Sequence, residues 1–392
     1  MQRHNATVSP LVLDAIRQII EKNGLPQSRL AQLVSDLSRL FTKERTELSR
    51  SYLEDPTALM AYLSYFVPVN LSKIQALLDE MPTDQQQERF SVLDLGSGPG
   101  TGSLAVLDWW NSQKHAGALS VVTVDSSPAA LGQANQLWIR YCQMVGITTA
   151  SFERYEGDLE RAAWLTQVRP RAPFDIIILA NSLNELYVGA KDPIAARTNF
   201  VAEALSLLAP SGTMMILEPA LRETSRALHH VRDRLLQEKQ CTVFSPCLHE
   251  DSCPALVNPY DWCHEERTWE PPPSIQEIDK EVGFIKDALK FSYLLLRKDG
   301  KTVVERSPDV YRVVSELREL KGEKRAWLCN EQGRHEVGRQ DRLASSQNEA
   351  FDAWHRGAIV QIERIVRKEK GGKVSALGRI EQDAAVKIVR PA

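Results

Sequence analysis

A glycine-rich run follows a short apolar stretch in the first third of the chain, and it limits the possible folds more than any other feature. The segment Val92-Leu-Asp-Leu-Gly-Ser-Gly-Pro-Gly-Thr-Gly102 predicts a strand that enters a tight turn and then a helix. Glycines let the backbone turn sharply and approach a ligand closely, because no Cβ stands in the way. From Phe90 onward, short apolar runs alternate with helical patterns. This alternation is typical of parallel βαβ units and predicts a doubly wound α/β sheet.

Strand and helix patterns divide the chain into three parts. The candidate strands are Phe90–Leu95, Leu119–Asp125, Thr148–Tyr155, Phe174–Ala180, Thr213–Glu218 and Lys290–Arg297, and the candidate helices are Ser103–Gln113, Pro128–Met144, Asn199–Leu208 and Arg222–Glu238. Helical spacing also fills the chain before this part, up to Pro68, which we expect to end a helix. Short β-like runs with Gly turns follow Asp299. We therefore predict an N-terminal helical region over 1–85, an α/β domain over 86–300 with an insertion at 240–275, and a small β-rich appendix over 301–392.

Composition supports a folded, water-soluble chain. Of 392 residues, 43% are hydrophobic and 25% are charged, which is the range of globular proteins. There is no run of about 18 apolar residues, so the sequence predicts no membrane-spanning helix. Its start lacks the features of a signal or transit peptide, and we expect a cytoplasmic protein. Lys and Arg exceed Asp and Glu from Lys286 to the end, which suits either a polyanionic partner or an ordinary solvated surface.

Three acidic residues indicate which class of ligand the glycine-rich turn binds. Asp94 lies inside a D-x-G-x-G-x-G pattern, and Asp125 ends the second predicted strand, where a carboxylate can accept hydrogen bonds from both ribose hydroxyls. Asp158 follows the third strand, where an acid can meet an adenine amino group. Together these features resemble the class I S-adenosylmethionine (SAM) dependent methyltransferases. That resemblance implies a Rossmann-like sheet with a SAM site formed by Asp94, Gly96, Gly98, Gly100, Asp125 and Asp158.

The fourth predicted strand leads into Leu179-Ala-Asn-Ser-Leu-Asn-Glu-Leu186, which in class I enzymes faces the methyl acceptor. It lacks the Asn/Asp-Pro-Pro-Tyr/Phe sequence that is typical of enzymes that methylate amino groups of nucleic acids. Asn181, Asn184 and Glu185 are candidates to hydrogen-bond a base edge or the cofactor. Alternatively, they cap a helix that begins near Asn184. No general base is evident, yet methyl transfer from a sulfonium is a displacement that alignment alone can accelerate.

Cysteines cluster in the insertion, and this clustering indicates a candidate metal site. Cys247, Cys253 and Cys263 follow one another at spacings that match neither zinc ribbons nor ferredoxins. Zinc, an iron–sulfur cluster and free thiols therefore all remain open from the spacing. Cys142 lies in an apolar helix, where we expect it in the core, and Cys241 falls outside the pattern.

Several sequence blocks together resemble the methyltransferase-like assembly factors of the mitochondrial small ribosomal subunit and their bacterial relatives. The matching blocks are Ala61-Tyr-Leu-Ser-Tyr-Phe-Val-Pro68, the glycine-rich run, Asn181-Ser-Leu-Asn-Glu-Leu186, Pro246-Cys247 to Cys253-Pro254, Trp262-Cys263-His264, Phe291-Ser-Tyr-Leu-Leu-Leu296 and Lys321-Gly-Glu-Lys-Arg-Ala-Trp-Leu-Cys329. The resemblance implies a [4Fe–4S] cluster on Cys247, Cys253, Cys263 and Cys329, with His249 and His264 as alternative ligands. It also implies an association with the small ribosomal subunit and its rRNA.

One departure and two rival interpretations accompany this resemblance. The family commonly has Arg-x-Pro-Ala-Thr where this chain has Tyr65-Phe-Val-Pro-Val-Asn70, so a candidate RNA contact is missing. One rival is a small-molecule or protein methyltransferase with a structural zinc site. The other is a pseudoenzyme that binds SAM without turnover. We expect a monomer, whose rRNA contacts would come from basic residues of the appendix, namely Arg364, Arg367, Lys368, Lys370 and Lys373.

Overall fold

The computed structural model describes residues 7–47, 51–82, 87–370 and 372–391. The domain boundary predicted at residue 85 lies outside these ranges. So do the first six residues, which belong to the segment predicted to lack a signal or transit peptide. Within them, no helix is both long and apolar enough to cross a membrane.

Helices form the N-terminal part, as predicted. They are α1 (Pro10–Asn23), α2 (Gln27–Thr42), α3 (Pro56–Ala61) and α4 (Val67–Leu78). Local signals set their ends: Ser9 and Asp55 cap α1 and α3 with their side chains, and Gly24 ends α1 in the left-handed conformation. The prediction that Pro68 ends a helix is wrong. A π-helical turn over Tyr62–Phe66 joins α3 to α4, and Pro68 lies in the first turn of α4, where a proline is tolerated.

A doubly wound sheet forms the middle of the molecule. Its strands are β1 (Arg89–Leu95), β2 (Ala118–Asp125), β3 (Ala150–Glu156), β4 (Phe174–Ala180), β5 (Leu208–Pro219), β6 (Thr242–Ser245), β7 (Glu265–Thr268) and β8 (Ala288–Arg297). They are arranged in the order β3-β2-β1-β4-β5-β8-β6, with β7 also paired to β8. The first five are parallel, whereas β8 runs antiparallel to its neighbours.

Helices cover both faces of this sheet. They are α5 (Thr101–Ser112), α6 (Pro128–Val145), α7 (Ala163–Val168), α8 (Pro193–Ser206), α9 (Arg222–Gln237) and α10 (Pro273–Val282). Alternate residues of one strand enter different cores, since Val92 packs with the N-terminal helices and Leu93 with the opposite face. The class I methyltransferase type of sheet is therefore confirmed.

Two sequence-based assignments in this sheet domain differ from the structure. The helix expected from Asn199 begins at Pro193, where Asp192 caps it. The insertion is not a loop held only by ligands, because it contributes β6, β7 and α10. The two strands have four residues each, and β7 (Glu265–Thr268) is almost entirely polar, so neither shows a strand pattern in the sequence.

A second sheet follows and confirms the β-rich C-terminal part. Its strands are β9 (Val310–Val313), β10 (Arg318–Leu320), β11 (Glu323–Asn330), β12 (Gly333–Gln340), β13 (Ile359–Ile362), β14 (Val366–Lys370), β15 (Lys373–Arg379) and β16 (Val386–Arg390). The order is β14-β15-β12-β11-β9-β13-β16, with β10 paired to β11. Phe351 and Trp354 pack at its centre.

Buried ion pairs join this second sheet to the rest of the molecule. Arg312 of β9 pairs with Glu265 of β7 and donates a hydrogen bond to the Tyr293 hydroxyl at 3.0 Å. Arg267 pairs with Glu80, which follows α4, and the Tyr293 hydroxyl also lies 3.3 Å from Glu80. Glu80, Glu265 and Arg312 are buried, and Arg267 is mostly buried. Removal of one partner from a buried pair typically costs about 3–5 kcal/mol. The helical region, the first sheet and the second sheet thus depend on one another.

Candidate functional site

A cavity of about 420 Å³, the cofactor pocket, opens at the carboxyl ends of the central strands. Ligands bind at this edge in doubly wound sheets, where the strand order reverses. The residues that line it come from the loops after β1, β2, β3 and β4, from the segment before α3, from the π-helical turn and α4, and from the start of α5. They include Asp94, Gly96, Gly98, Asp125, Asp158 and Glu185, together with Tyr52 and Glu54.

The glycine-rich turn makes the floor of the cofactor pocket. Gly96, Gly98 and Gly100 all have positive φ, at 67°, 52° and 85°. A Cβ on Gly96 would lie 2.5 Å from the Ser182 Cβ, so the two loops touch only because a glycine is present. Gly100 faces Ala134 instead, where a Cβ would lie 2.8 Å from that side chain. It is absent from the pocket lining and lets α5 pack against α6.

Asp94 is buried at the end of β1, beneath the turn. Its carboxylate accepts hydrogen bonds of 2.8 Å from both the backbone N–H and the hydroxyl of Ser103. Burial raises the pKa of Asp94 to about 6, in spite of these two donors. The side chain reaches the cofactor pocket, so it can present a negative charge there above that pH.

The other two predicted acids lie on the pocket wall. Asp125 ends β2 and accepts hydrogen bonds from the backbone N–H groups of Gly98 at 2.7 Å and Ser127 at 2.9 Å. Burial raises its pKa as well. Asp158, after β3, is more exposed, caps its own loop through the N–H of Glu160 and pairs with Arg161 at 3.3 Å. The structure thus places all three carboxylates around one cavity.

The three acceptor-side candidates have different surroundings. Asn181 has a positive φ of 60° at the end of β4, and with Glu185 it lines the cofactor pocket. Asn184 is almost buried, donates to the Asn181 carbonyl at 3.0 Å and accepts from Arg45. It starts no helix, because only a short 3₁₀ turn occurs there and α8 begins later. Its backbone N–H donates to Glu218, whose pKa burial raises to about 8.

A second cavity of about 360 Å³, the aromatic chamber, adjoins the cofactor pocket. Both cavities are lined by Tyr52, Tyr62, Asn70, Asn181 and Glu185. The chamber adds two further rings, Phe41 and Phe66, and four cationic side chains, Arg45, Lys73, Lys286 and Lys290.

The aromatic chamber and Lys73 were not predicted from the sequence. The only local sign is the run Tyr62–Phe66, which forms the π-helical turn, a feature that often marks functional sites.

The four predicted cysteine ligands meet in a third cavity, the cysteine cavity. Cys247 and Cys253 come from the loop after β6, Cys263 from the segment just before β7, and Cys329 from β11 of the second sheet. All four line this cavity. Burial, followed by the charges of the other three thiols, raises the pKa of Cys329 well above its usual value. The prediction that these residues assemble from distant parts of the chain therefore agrees with the geometry.

Cations and hydrogen bonds hold the loops of the cysteine cavity. Arg232 of α9 is fully buried and donates to the carbonyls of His249 at 2.6 Å and Asp251 at 2.8 Å. Arg312 and Arg334 line the cavity. Across residues 7–47, 51–82, 87–370 and 372–391, no group of three or more His, Cys, Asp and Glu side chains forms a site for a single metal ion.

Of the remaining histidines and cysteines considered in the sequence, only His249 lines the cysteine cavity. His249 lines the cysteine cavity, with Nε2 3.8 Å from the Cys329 Sγ, whereas His264 points away and pairs with Glu266 at 3.1 Å. Cys142 packs against the hydrophobic core, as expected. Cys241 packs on the other face of the sheet and is not part of the cavity.

Two of the five basic residues predicted to contact rRNA have contacts within the protein. Arg364 pairs with Asp383 at 2.8 Å, and Arg367 donates to backbone carbonyls and to His335. Lys368 is exposed. The side chains of Lys370 and Lys373 lie outside the described residues.

Solved structures similar to this chain carry methyltransferase descriptions. An O-methyltransferase family protein from Burkholderia thailandensis is 14% identical, with a TM-score of 0.32 over 67% of this chain and 64% of its own. An O-methyltransferase family 2 protein from Planctomyces limnophilus is 17% identical, with a TM-score of 0.30 over 59% and 56% of the two chains. A methyltransferase from Pyrococcus furiosus is 13% identical, with a TM-score of 0.31 over 54% and 77%. This chain thus spans less than two thirds of the first two.

Sequence comparison identifies a family directly. A search of curated protein sequences finds no match. A family model described as "Mitochondrial small ribosomal subunit Rsm22" matches residues 56–341, which include the glycine-rich turn, the aromatic segment before α4 and all four cysteines of the cysteine cavity. Because this match extends over more than half of the chain, the protein belongs to the Rsm22 family.

Proposed function

We propose that this protein is a SAM-dependent methyltransferase of the small ribosomal subunit, with rRNA as its partner. The observation that carries this proposal is the pair of joined cavities at the carboxyl edge of the first sheet. One has the acids that a SAM site needs, and the other offers room for a methyl acceptor. Membership of the Rsm22 family supports the ribosomal partner.

The chemistry of the cofactor pocket suits SAM. The molecule carries a sulfonium and an ammonium group but no phosphate, so a pocket lined by carboxylates is favourable for it. Asp94 and Asp125 would supply negative charge, and Asp125 keeps acceptor capacity beyond its two backbone donors. The glycine turn exposes backbone close to the ligand.

We also propose that Cys247, Cys253, Cys263 and Cys329 hold a [4Fe–4S] cluster. Four thiols that line one cavity are the donor set such clusters use, and the neighbouring Arg232 and Arg312 offset the negative charge of the cluster and its thiolates. When bound, the cluster would tie the second sheet to the insertion and would add a one-electron redox centre. The alternative is a zinc ion on the same thiols, and metal analysis of the purified protein distinguishes zinc from iron. The cytoplasmic location and the monomeric state remain proposals.

Co-sedimentation tests the ribosomal partner. We expect the purified protein to sediment with isolated small subunits and not with large subunits. If rRNA phosphates supply the contacts, binding falls steeply as salt rises, because each neutralised phosphate releases counterions. Co-sedimentation of the protein with neither subunit, or binding that ignores salt from about 50 to about 200 mM, would contradict rRNA binding.

The affinity for SAM should depend on pH through Asp94. Its pKa is raised to about 6, so the carboxylate loses its charge as the pH falls through that value. We expect the dissociation constant to be level above pH 7 and to rise by up to about tenfold per pH unit below 6. Isothermal calorimetry across this range measures it. The Asp94→Asn variant should bind weakly and lose most of the dependence, and an unchanged constant down to about pH 5 would count against the assignment.

A further inference from the structure

A lysine is buried in the aromatic chamber, where the sequence gave no reason to expect one. Lys73 lies on the inner face of α4 and is only 9% exposed. Its Nζ donates a hydrogen bond to the Asn70 side-chain oxygen at 2.9 Å. Lysine is almost never so deeply buried unless it is paired with an acid, so this placement needs a chemical explanation.

Asn70 connects Lys73 to the cofactor pocket. Its side chain lines both cavities, accepts from Lys73 and hydrogen-bonds the Tyr62 hydroxyl. The Asn70 amide is thus held between two partners, and it fixes the position of the Lys73 amine in the chamber. The amine is therefore one hydrogen bond away from a residue that also lines the cofactor pocket.

The charges around Lys73 favour its neutral form. Burial, and then the positive charge of Lys286, lower the pKa of Lys73 to about 7. The other charged side chains that line the chamber are Arg45, Lys290 and Glu185. A neutral amine that donates one hydrogen to Asn70 keeps a lone pair free. At the pH of most cells, a large share of the molecules therefore carries a proton acceptor at this position.

The chamber walls indicate the kind of molecule that this amine would meet. Phe41, Tyr52, Tyr62 and Phe66 contact one another, with ring centroids 5.0 to 6.4 Å apart, and offer flat apolar surfaces. Flat rings stack favourably on such surfaces. Lys290 also lines the chamber, and its exposed ammonium group lies 3.6 Å from the Glu266 carboxylate.

We propose that Lys73 is the proton acceptor for methyl transfer, and that the acceptor is a planar heteroaromatic ring with an ionisable N–H or O–H. This inference rests on the proposed function, since it needs SAM as the methyl donor. The proton of the N–H or O–H moves to the Lys73 Nζ, and the electron pair left on nitrogen or oxygen forms the bond to the methyl carbon. The sulfur–methyl bond breaks, and its electron pair stays on sulfur as a thioether. Lys73 then releases its proton to water.

Two substitutions at Lys73 test the role, with an exposed lysine as the control. Lys73→Met keeps the length of the side chain without a base, and Lys73→Arg keeps a cation that does not deprotonate. Lys22→Met changes an exposed lysine of α1 that lies outside both cavities. The probe is the small ribosomal subunit from cells that lack this protein, incubated with SAM labelled in its methyl group. Calorimetry checks that each variant still binds SAM.

We expect both Lys73 variants to bind SAM normally and to lose about 100-fold or more in kcat, the usual range for a lost general base. The wild-type rate should rise with pH up to about 7 and then level off, because only the neutral amine accepts a proton. The Lys73→Met profile should lack this break, and Lys22→Met should match the wild type. NMR of the labelled amine gives a readout besides activity, namely a Lys73 titration midpoint near 7.

Each opposite result has a distinct meaning. A Lys73→Met variant that keeps more than half of the wild-type rate, or an amine that titrates at the ordinary lysine pKa, overturns this inference and leaves the proposed function intact. A wild-type protein that binds SAM and subunits but transfers no methyl group overturns the catalytic part of the proposed function, and the inference with it.

Discussion

The Cys329→Ser variant should be purified without its cluster, even under anaerobic conditions. Cys329 is the proposed ligand on β11, and the other three thiols all come from the insertion. With three thiolates left, the [4Fe–4S] core lacks its fourth anchor, and the second sheet loses its covalent link to the first. We expect iron, sulfide and the broad absorption band near about 400 nm to disappear together. The melting temperature should fall at the same time.

A matched substitution separates this loss from a general effect of cysteine removal. Cys241→Ser changes a thiol that packs against the core of the first sheet and does not line the cysteine cavity. It should keep the full iron and sulfide content. Stoichiometric zinc in the wild type would identify the alternative metal, and a wild type with neither metal would refute the cluster assignment altogether. Retention of the cluster by Cys329→Ser would mean that His249 or another group completes the ligand set.

The second large effect should come from Asp125→Ala, which we expect to weaken SAM binding by about 100-fold or more. The carboxylate would accept two ribose hydroxyls, and each hydrogen bond to a charged group contributes about 1.5–3 kcal/mol. Its loss also frees the Gly98 N–H, which now donates to it at 2.7 Å, so the glycine turn becomes less well fixed. Calorimetry with SAM at about pH 7.5 measures the change in the dissociation constant.

The control for this substitution lies at the other end of the same sheet. Asp175 of β4 accepts hydrogen bonds from the backbone N–H of Ser91 at 2.8 Å and from its hydroxyl at 2.9 Å, and it does not line the cofactor pocket. Asp175→Asn should bind SAM like the wild type. If Asp125→Ala also binds like the wild type, the ligand of this pocket is not held through its ribose, and the SAM assignment fails.

The cofactor pocket could be predicted from the sequence because its signals are local. Asp94 and the glycines lie within nine residues, and their spacing alone dictates a strand, a turn and a helix. Gly100 does not line the pocket, and its positive φ serves the packing of α5 on α6. A glycine that meets a ligand and one that meets a neighbouring helix look alike in a sequence.

The aromatic chamber and the cysteine cavity could not be predicted in the same way. Their walls come from segments far apart in the chain, and only the folded sheets bring them together. The four cysteine ligands were assigned through a family resemblance, since the 66-residue gap between Cys263 and Cys329 gives no local signal. Lys73 resembles any solvated lysine of a helix, and only the folded chain encloses it in the chamber.

The buried ion pairs also set an order of events during translation. Glu80 and Glu265 are synthesised before Arg312, and until β9 leaves the ribosome the acid of β7 lacks the strongest of its buried partners. A chain that ends after β8 would keep Arg267 beside Glu265 at 3.5 Å, but this one guanidinium also pairs with Glu80. Two carboxylates would then share a single cation. We therefore expect the first sheet to be less stable, and more readily cleaved in limited proteolysis, when the second sheet is absent.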